Sequence, residues 1–115
     1  MAFQRFEDII AWQKAQDYAV VIYKLFKENR DYSFKNQISD AVVSISNNIA
    51  EGFDRSSNAE FKRFLYYSIG SCSEVKSMLY LAQRLDYISL DELKENIENG
   101  NEISKIIRGL IKSLE

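Results

Sequence analysis

Ser44-Ile45-Ser46-Asn47-Asn48-Ile49-Ala50-Glu51-Gly52 is the stretch that decides how this chain folds. At about 100° per residue, Ile38, Val42, Ile45 and Ile49 stack on one helical face, while Gln37, Ser44 and Asn48 stack on the flank beside it. A solvated flank has no need of such short, neutral, hydrogen-bonding side chains. The pattern therefore predicts a helix that packs its apolar stripe into a core and lays a half-buried polar seam against a neighbour.

Working outward, the chain carries no proline in 115 residues, where average usage of about 5% predicts roughly six. Proline breaks helices, so long uninterrupted helices are the expectation. Hydrophobic residues at 46% and charged residues at 28% are ordinary for a globular chain and argue against disorder. The length suits one domain spanning 1–115 with a core of its own.

Four amphipathic segments follow. The first runs from Glu7 to Glu28, with Ala11, Trp12, Ala15, Ala19, Ile22 and Phe26 inward. Ser33 is the expected N-cap of the second, whose inward face is Phe34, Ile38, Val42, Ile45, Ile49 and Phe53, with Gly52 as a stop or bend. Ser57-Asn58-Ala59-Glu60 reads as a capping box opening a third helix to Leu85. Its inward face is Phe61, Phe64, Leu65, Ser68, Ser71 and Cys72, continuing through Val75, Met78, Leu79, Ala82 and Leu85. A second box, Ser89-Leu90-Asp91-Glu92, opens a fourth helix with Leu90, Leu93, Ile97, Ile103, Ile107, Leu110 and Leu114 inward. Short connections between such helices predict an all-α, antiparallel up-down-up-down four-helix bundle.

Composition also removes chemistry. The chain has no histidine, so Ser-His and Cys-His dyads, His-containing zinc sites and the Glu-x-x-His di-iron motif are excluded. Cys72 is the single cysteine; it has no internal partner and reads as a core residue. The sequence points to no enzyme, cofactor or metal. No apolar run approaches the ~18 to 20 residues that span a bilayer, and Met1–Ile10 lacks the basic and apolar regions of a signal peptide. The reading is a cytoplasmic protein without a membrane partner. The net charge of −2 weighs against broad binding to a phosphate backbone.

Three constellations deserve weighing. The seam of Gln37, Ser44 and Asn48 faces a small-residue section of the third helix around Gly70 and Ser71, with Glu51 and Glu74 at its edges and Arg55 placed to neutralise them. Paired carboxylates serve acid–base or metal chemistry, but a satisfied structural network fits better, since no nucleophile with an activating base is present. Gly70 costs about 1 kcal/mol relative to alanine in mid-helix, and close backbone approach is the simplest reason for it. Val43, Ala50, Tyr66, Ile69 and Tyr80 project from the backs of the second and third helices. Gathered there, they predict a self-association surface. Lys62-Arg63-Phe64-Leu65-Tyr66-Tyr67 interleaves cations with aromatics, but Phe64 and Tyr67 turn inward in a helix. Arg55, Lys62, Arg63 and Lys76 are the candidate nucleic-acid contacts.

The gapped motif Gln37-x6-Ser44-Ile45-x2-Asn48-Ile49-Ala50-Glu51-Gly52-x2-Arg55, then Glu60-Phe61 and Gly70-Ser71-x2-Glu74, resembles the bacterial four-helix-bundle family of the 23S rRNA intervening-sequence proteins. Phe6, Trp12, Ala15 and Tyr23 fit that family's first helix, and Leu85-Asp86-Tyr87-Ile88 its third-helix ending. The resemblance implies a ring-like homo-oligomer, a pentamer, without established catalysis. That family is similar to the accessory protein of diversity-generating retroelements, which implies an adaptor role beside RNA or a reverse transcriptase. The alternative is a protein-binding scaffold with no nucleic-acid role, and Ser39 and Asp40, where the family often carries basic residues, favour it.

Overall fold

The structure is a computed structural model describing residues 3–115. It is all-helical over those residues: a 3-10 turn, Phe6–Asp8, precedes α1 (Ile10–Leu25), α2 (Tyr32–Phe53), α3 (Asn58–Arg84) and α4 (Leu90–Ser113). One cluster of buried side chains draws on all four helices, in a body of 43 × 22 × 19 Å. Four helices around one core are consistent with a four-helix bundle. No described helix is long and apolar enough to cross a membrane.

The helix starts show how local chemistry sets the boundaries. α1 begins at Ile10 rather than Glu7, because Glu7 belongs to the 3-10 turn and its carbonyl accepts from Gln13 Nε2 at 2.8 Å. Ser33 is not the N-cap of α2. Asp31 holds that place, its Oδ1 accepting the Phe34 amide at 3.2 Å, while its Oδ2 accepts the Tyr87 hydroxyl at 2.6 Å. A single carboxylate thus ties the start of α2 to the turn between α3 and α4. Ser57 caps α3 by accepting the Glu60 amide, but the Glu60 carboxylate pairs with Arg63, so that box is half made. At α4 both halves are present, Ser89 and Glu92 each accepting the other's amide.

Just beyond α3 and its C-cap Leu85, Asp86 adopts φ 61°. The amides of Asp86 and Tyr87 reach back to the carbonyls of Gln83 and Ala82, the paired closure that glycine usually makes at a helix end.

The apolar faces largely follow the 3.6-residue period, with departures at the ends. Leu85 and Leu90 are exposed rather than inward, because each sits at a helix terminus beyond the neighbours that would cover it. Tyr67 is also exposed and packs edge-on against the buried Phe64, centroids 5.4 Å apart. Tyr18, Ile9 and Ile111 join the core.

The glycines differ in part from their expected roles. α2 ends at Phe53, one residue past Gly52, but Gly52 does not take a left-handed φ; a Cβ there would lie 2.6 Å from Phe64 Cβ and 3.1 Å from the Phe61 ring. Gly70 is exposed and a Cβ there would meet nothing within 4 Å, so it marks no close approach. Gly100 makes room for Tyr18, whose Oη would be 2.9 Å from an added Cβ and donates to the Asn96 carbonyl at 2.9 Å.

Two outcomes follow for urea unfolding at fixed protein concentration. Gly52→Ala overpacks α2 against α3 and should cost about 1–3 kcal/mol, whereas Gly70→Ala should stabilise by up to about 1 kcal/mol through helix propensity. Equal shifts in the two variants would contradict the assignment of the close approach. Separately, the Tyr87 hydroxyl, and then the Phe34 amide, hold the Asp31 carboxyl below its usual range. A carboxyl depressed in the folded state contributes stability above its unfolded pKa and loses it as pH falls through the folded value. Tyr87→Phe should therefore flatten the fall of the urea midpoint between neutral and acid pH; an unchanged acid limb would remove this link.

Candidate functional site

The polar seam exists, though with fewer members than the spacing suggests. Ser44 of α2 and Ser71 of α3 bring their hydroxyls to 2.5 Å. Each also reaches a carbonyl of its own helix, Ala41 at 2.8 Å and Tyr67 at 3.2 Å. Nearby, the buried Ser68 hydroxyl donates to the Ile45 carbonyl at 2.8 Å. Burying a hydroxyl without a partner costs about 1–3 kcal/mol, and these contacts remove that penalty while letting α2 and α3 approach closely. Asn48 donates back to Ser44's carbonyl at 2.8 Å and stays on its own helix. Ser46, fully buried, accepts from Gln16 of α1 at 3.0 Å.

The charged edges of the seam do not assemble. Gln37, Glu51, Gly70 and Glu74 are exposed. Arg55 neutralises neither carboxylate; its guanidinium lies 4.6 Å from the Phe64 ring centroid. The ion pairs among the described residues are Arg5–Glu7, Lys14–Glu102 and Arg63–Glu60, all too exposed to add much stability. No group of three Cys, Asp or Glu side chains among the described residues could hold a metal ion.

The expected nucleic-acid contacts divide into two places. Arg55 and Arg63 flank Phe64, with Arg63 5.6 Å from that ring and hydrogen-bonded to Glu60 at 3.1 Å. Their guanidinium faces and donors are thus partly spent within the chain. Lys62 is half-buried beside them. Lys76 lies elsewhere, nearly four turns farther along α3, and donates to Asn101 of α4 at 3.3 Å.

Among the outward hydrophobes, Tyr66 and Tyr80 are exposed as expected. Ile69 is not: it is 8% exposed and packs in the core, because it lies one helical turn after Leu65 on the side covered by α4. Val43 is half-buried against the core and Ala50 half-buried. Tyr80 instead borders an apolar trough of about 440 Å³ with Leu90, Leu93 and Ile97, rimmed by Lys94 and Glu98. Leu81 and Leu85, also exposed, border a second hollow with Gln37 and Met78.

Sequence reasoning passed over the interior contact of α1 with α4. Tyr18 is 3% exposed, and burial, with a lesser contribution from Cys72, pushes its hydroxyl well above the usual tyrosine range. Burial likewise raises the Cys72 thiol, partly offset by the neighbouring Ser104 hydroxyl, which leaves it a poor nucleophile. Asn96 is buried too; its amide donates to Glu92's carbonyl while its Oδ1 has no partner. The signal for Tyr18 was its place between Ala15 and Ile22 on the inward stripe.

The profile of the 23S rRNA-intervening sequence protein family matches residues 7–109. Among solved structures, a protein with unknown function from the S23 ribosomal protein family of Bacteroides thetaiotaomicron VPI-5482 superposes with a TM-score of 0.83. It shares 27% identity, with 90% of this chain and 99% of that chain covered. Comparison with curated proteins finds no match. On the match over nearly its whole length, the chain belongs to the 23S rRNA-intervening sequence protein family.

Proposed function

We propose that the chain is a non-catalytic interaction module of the cytoplasm: an antiparallel up-down-up-down bundle that closes with copies of itself into a ring, a pentamer, and works as an adaptor beside RNA or a reverse transcriptase. The observation that carries the reading is the unpartnered apolar surface at Tyr80 and Leu90, about half exposed each at 48% and 53%. Leu93 and Ile97 form the floor of its trough. Contiguous hydrophobes of this kind mark contact sites. The rim carries Lys94 and Glu98 one turn apart, so the surface presents both charges and can meet a second copy without like-charge repulsion. Buried seam groups have hydrogen-bonding partners across α2 and α3 and no reacting partner, which supports a structural role for them.

The adaptor role draws on the family's name, 23S rRNA-intervening sequence protein, and on the resemblance to the retroelement accessory protein read from the sequence motif. A scaffold binding only protein is the second reading, favoured by the engagement of Arg55 and Arg63 with the chain's own Phe64 and Glu60.

Solution mass by light scattering tests the proposal. The expected result is a ring-sized mass at low and high salt, reduced to monomer by Tyr80→Glu with Leu90→Glu while helical circular dichroism stays unchanged. A wild-type monomer would overturn self-assembly, and a mass indifferent to structured RNA at low salt would favour the protein-binding scaffold.

A further inference from the structure

Lys76 belongs to a groove that the sequence did not announce. Along α3, Cys72, Ser73 and Lys76 line one wall of a hollow of about 380 Å³; along α4, Asn101, Ser104, Lys105 and Arg108 line the other. A hydrogen bond joins the walls at Lys76–Asn101. Arg108 also borders the next hollow, about 260 Å³, with Lys112 and Tyr66. From Asn101 to Lys112 the two hollows follow α4 for about 16 Å.

Charge within this groove is sorted. No carboxylate lines the first hollow, and Glu115 alone lines the second. Glu74 stands two residues from both Cys72 and Lys76, hence roughly 200° around the helix and facing away. On α4, Glu102 pairs with Lys14 of α1 and Glu98 rims the apolar trough. The macrodipole favours cations near a helix C-terminus, but it acts on all faces alike. Lys105, Arg108 and Lys112, spaced for one face, are joined there by a lysine from a different helix. At the end stands Tyr66, 54% exposed.

We infer that this groove binds a short stretch of single-stranded nucleic acid, with Lys76, Lys105, Arg108 and Lys112 on its phosphates and Tyr66 stacked on a base. Cations that track a backbone beside an exposed aromatic face are the physical requirements of such binding. Ser73, Asn101 and Ser104 add neutral hydrogen-bonding groups along the walls. The overall charge of −2 does not oppose this, because exposed charges beyond about 10 Å are largely screened at 0.1 M salt. The inference rests on the adaptor reading and names the site through which nucleic acid would be held.

The test is fluorescence anisotropy of a labelled single-stranded RNA of mixed sequence, with the matching duplex as competitor and the mass read in the same samples. The single strand should bind more tightly than the duplex. Lys105→Gln with Arg108→Gln should weaken binding about tenfold or more and lower the log–log salt slope by about 0.7 for each phosphate contact removed. Tyr66→Leu should weaken it about fivefold or more with a smaller change in salt slope, and Lys62→Gln with Arg63→Gln should leave it unchanged. Loss of binding in the Lys62/Arg63 variant alone would overturn the groove and leave the adaptor reading standing. Absence of binding by the intact protein at low salt would overturn both the groove and the RNA part of that reading, with the mass reporting self-assembly independently.

Discussion

The close approach of α2 to α3 sets the geometry on which the rest of the molecule depends. Gly52 removes the one side chain that would hold the helices apart near Phe61 and Phe64. Farther along, Ser68 and the Ser44–Ser71 pair keep small hydroxyls in the contact and satisfy them across it. Small residues permit the approach, and hydrogen bonds prevent it from stranding polar atoms. With that pair of helices fixed, α1 packs against α2 through Gln16–Ser46, and α4 is placed against α3.

The contact of α4 with α1 is made differently and has other consequences. Tyr18 reaches under α4 to the Asn96 carbonyl, in space that only a glycine at 100 leaves open. Around Gly100, α4 therefore stands over a large aromatic ring, with its aliphatic residues Ile103, Ile107 and Ile111 buried in the core farther along, and hollows border both its flanks. The basic stripe of α4 borders the hollow facing α3, and Glu102 borders the one facing α1. A chain that is slightly acidic overall thus presents one basic groove, because the helix sorts its charges by face. The apolar trough at Tyr80 and Leu90 adjoins this groove along the same two helices, Ile97 and Asn101 bordering both.

Much of the architecture was legible in sequence because it rests on local rules. The stripe Ile38, Val42, Ile45 and Ile49 is fully buried, and Ser57 and Ser89 cap their helices as their spacing indicates. What was misread depended on the neighbour. Gly52 and Gly70 look alike in sequence, and only the position of Phe64 distinguishes a close approach from open solvent. Ser33 and Asp31 are both good caps; the carboxylate has a second oxygen for Tyr87, 56 residues away. Ile69 reads as outward from the α3 stripe alone, and it is buried because α4 covers that side of the helix. The groove is hidden in sequence because its cations come from two helices: Lys76 reads as a nucleic-acid contact, but beside Arg55, Lys62 and Arg63 of its own stretch rather than Lys105 and Arg108 of α4.

Hydrogen exchange mapped on the intact protein, free and with single-stranded RNA, tests the account most directly. Exchange should be slowest at the α2–α3 seam around Ile45 and Ser68 in both states. It should also slow at α4 residues near Arg108 when RNA is present, since sites that bind ligand are drawn from the less protected parts of a fold. Fast exchange at the seam, or RNA protection centred on Arg55 to Arg63 with α4 unchanged, would contradict the account.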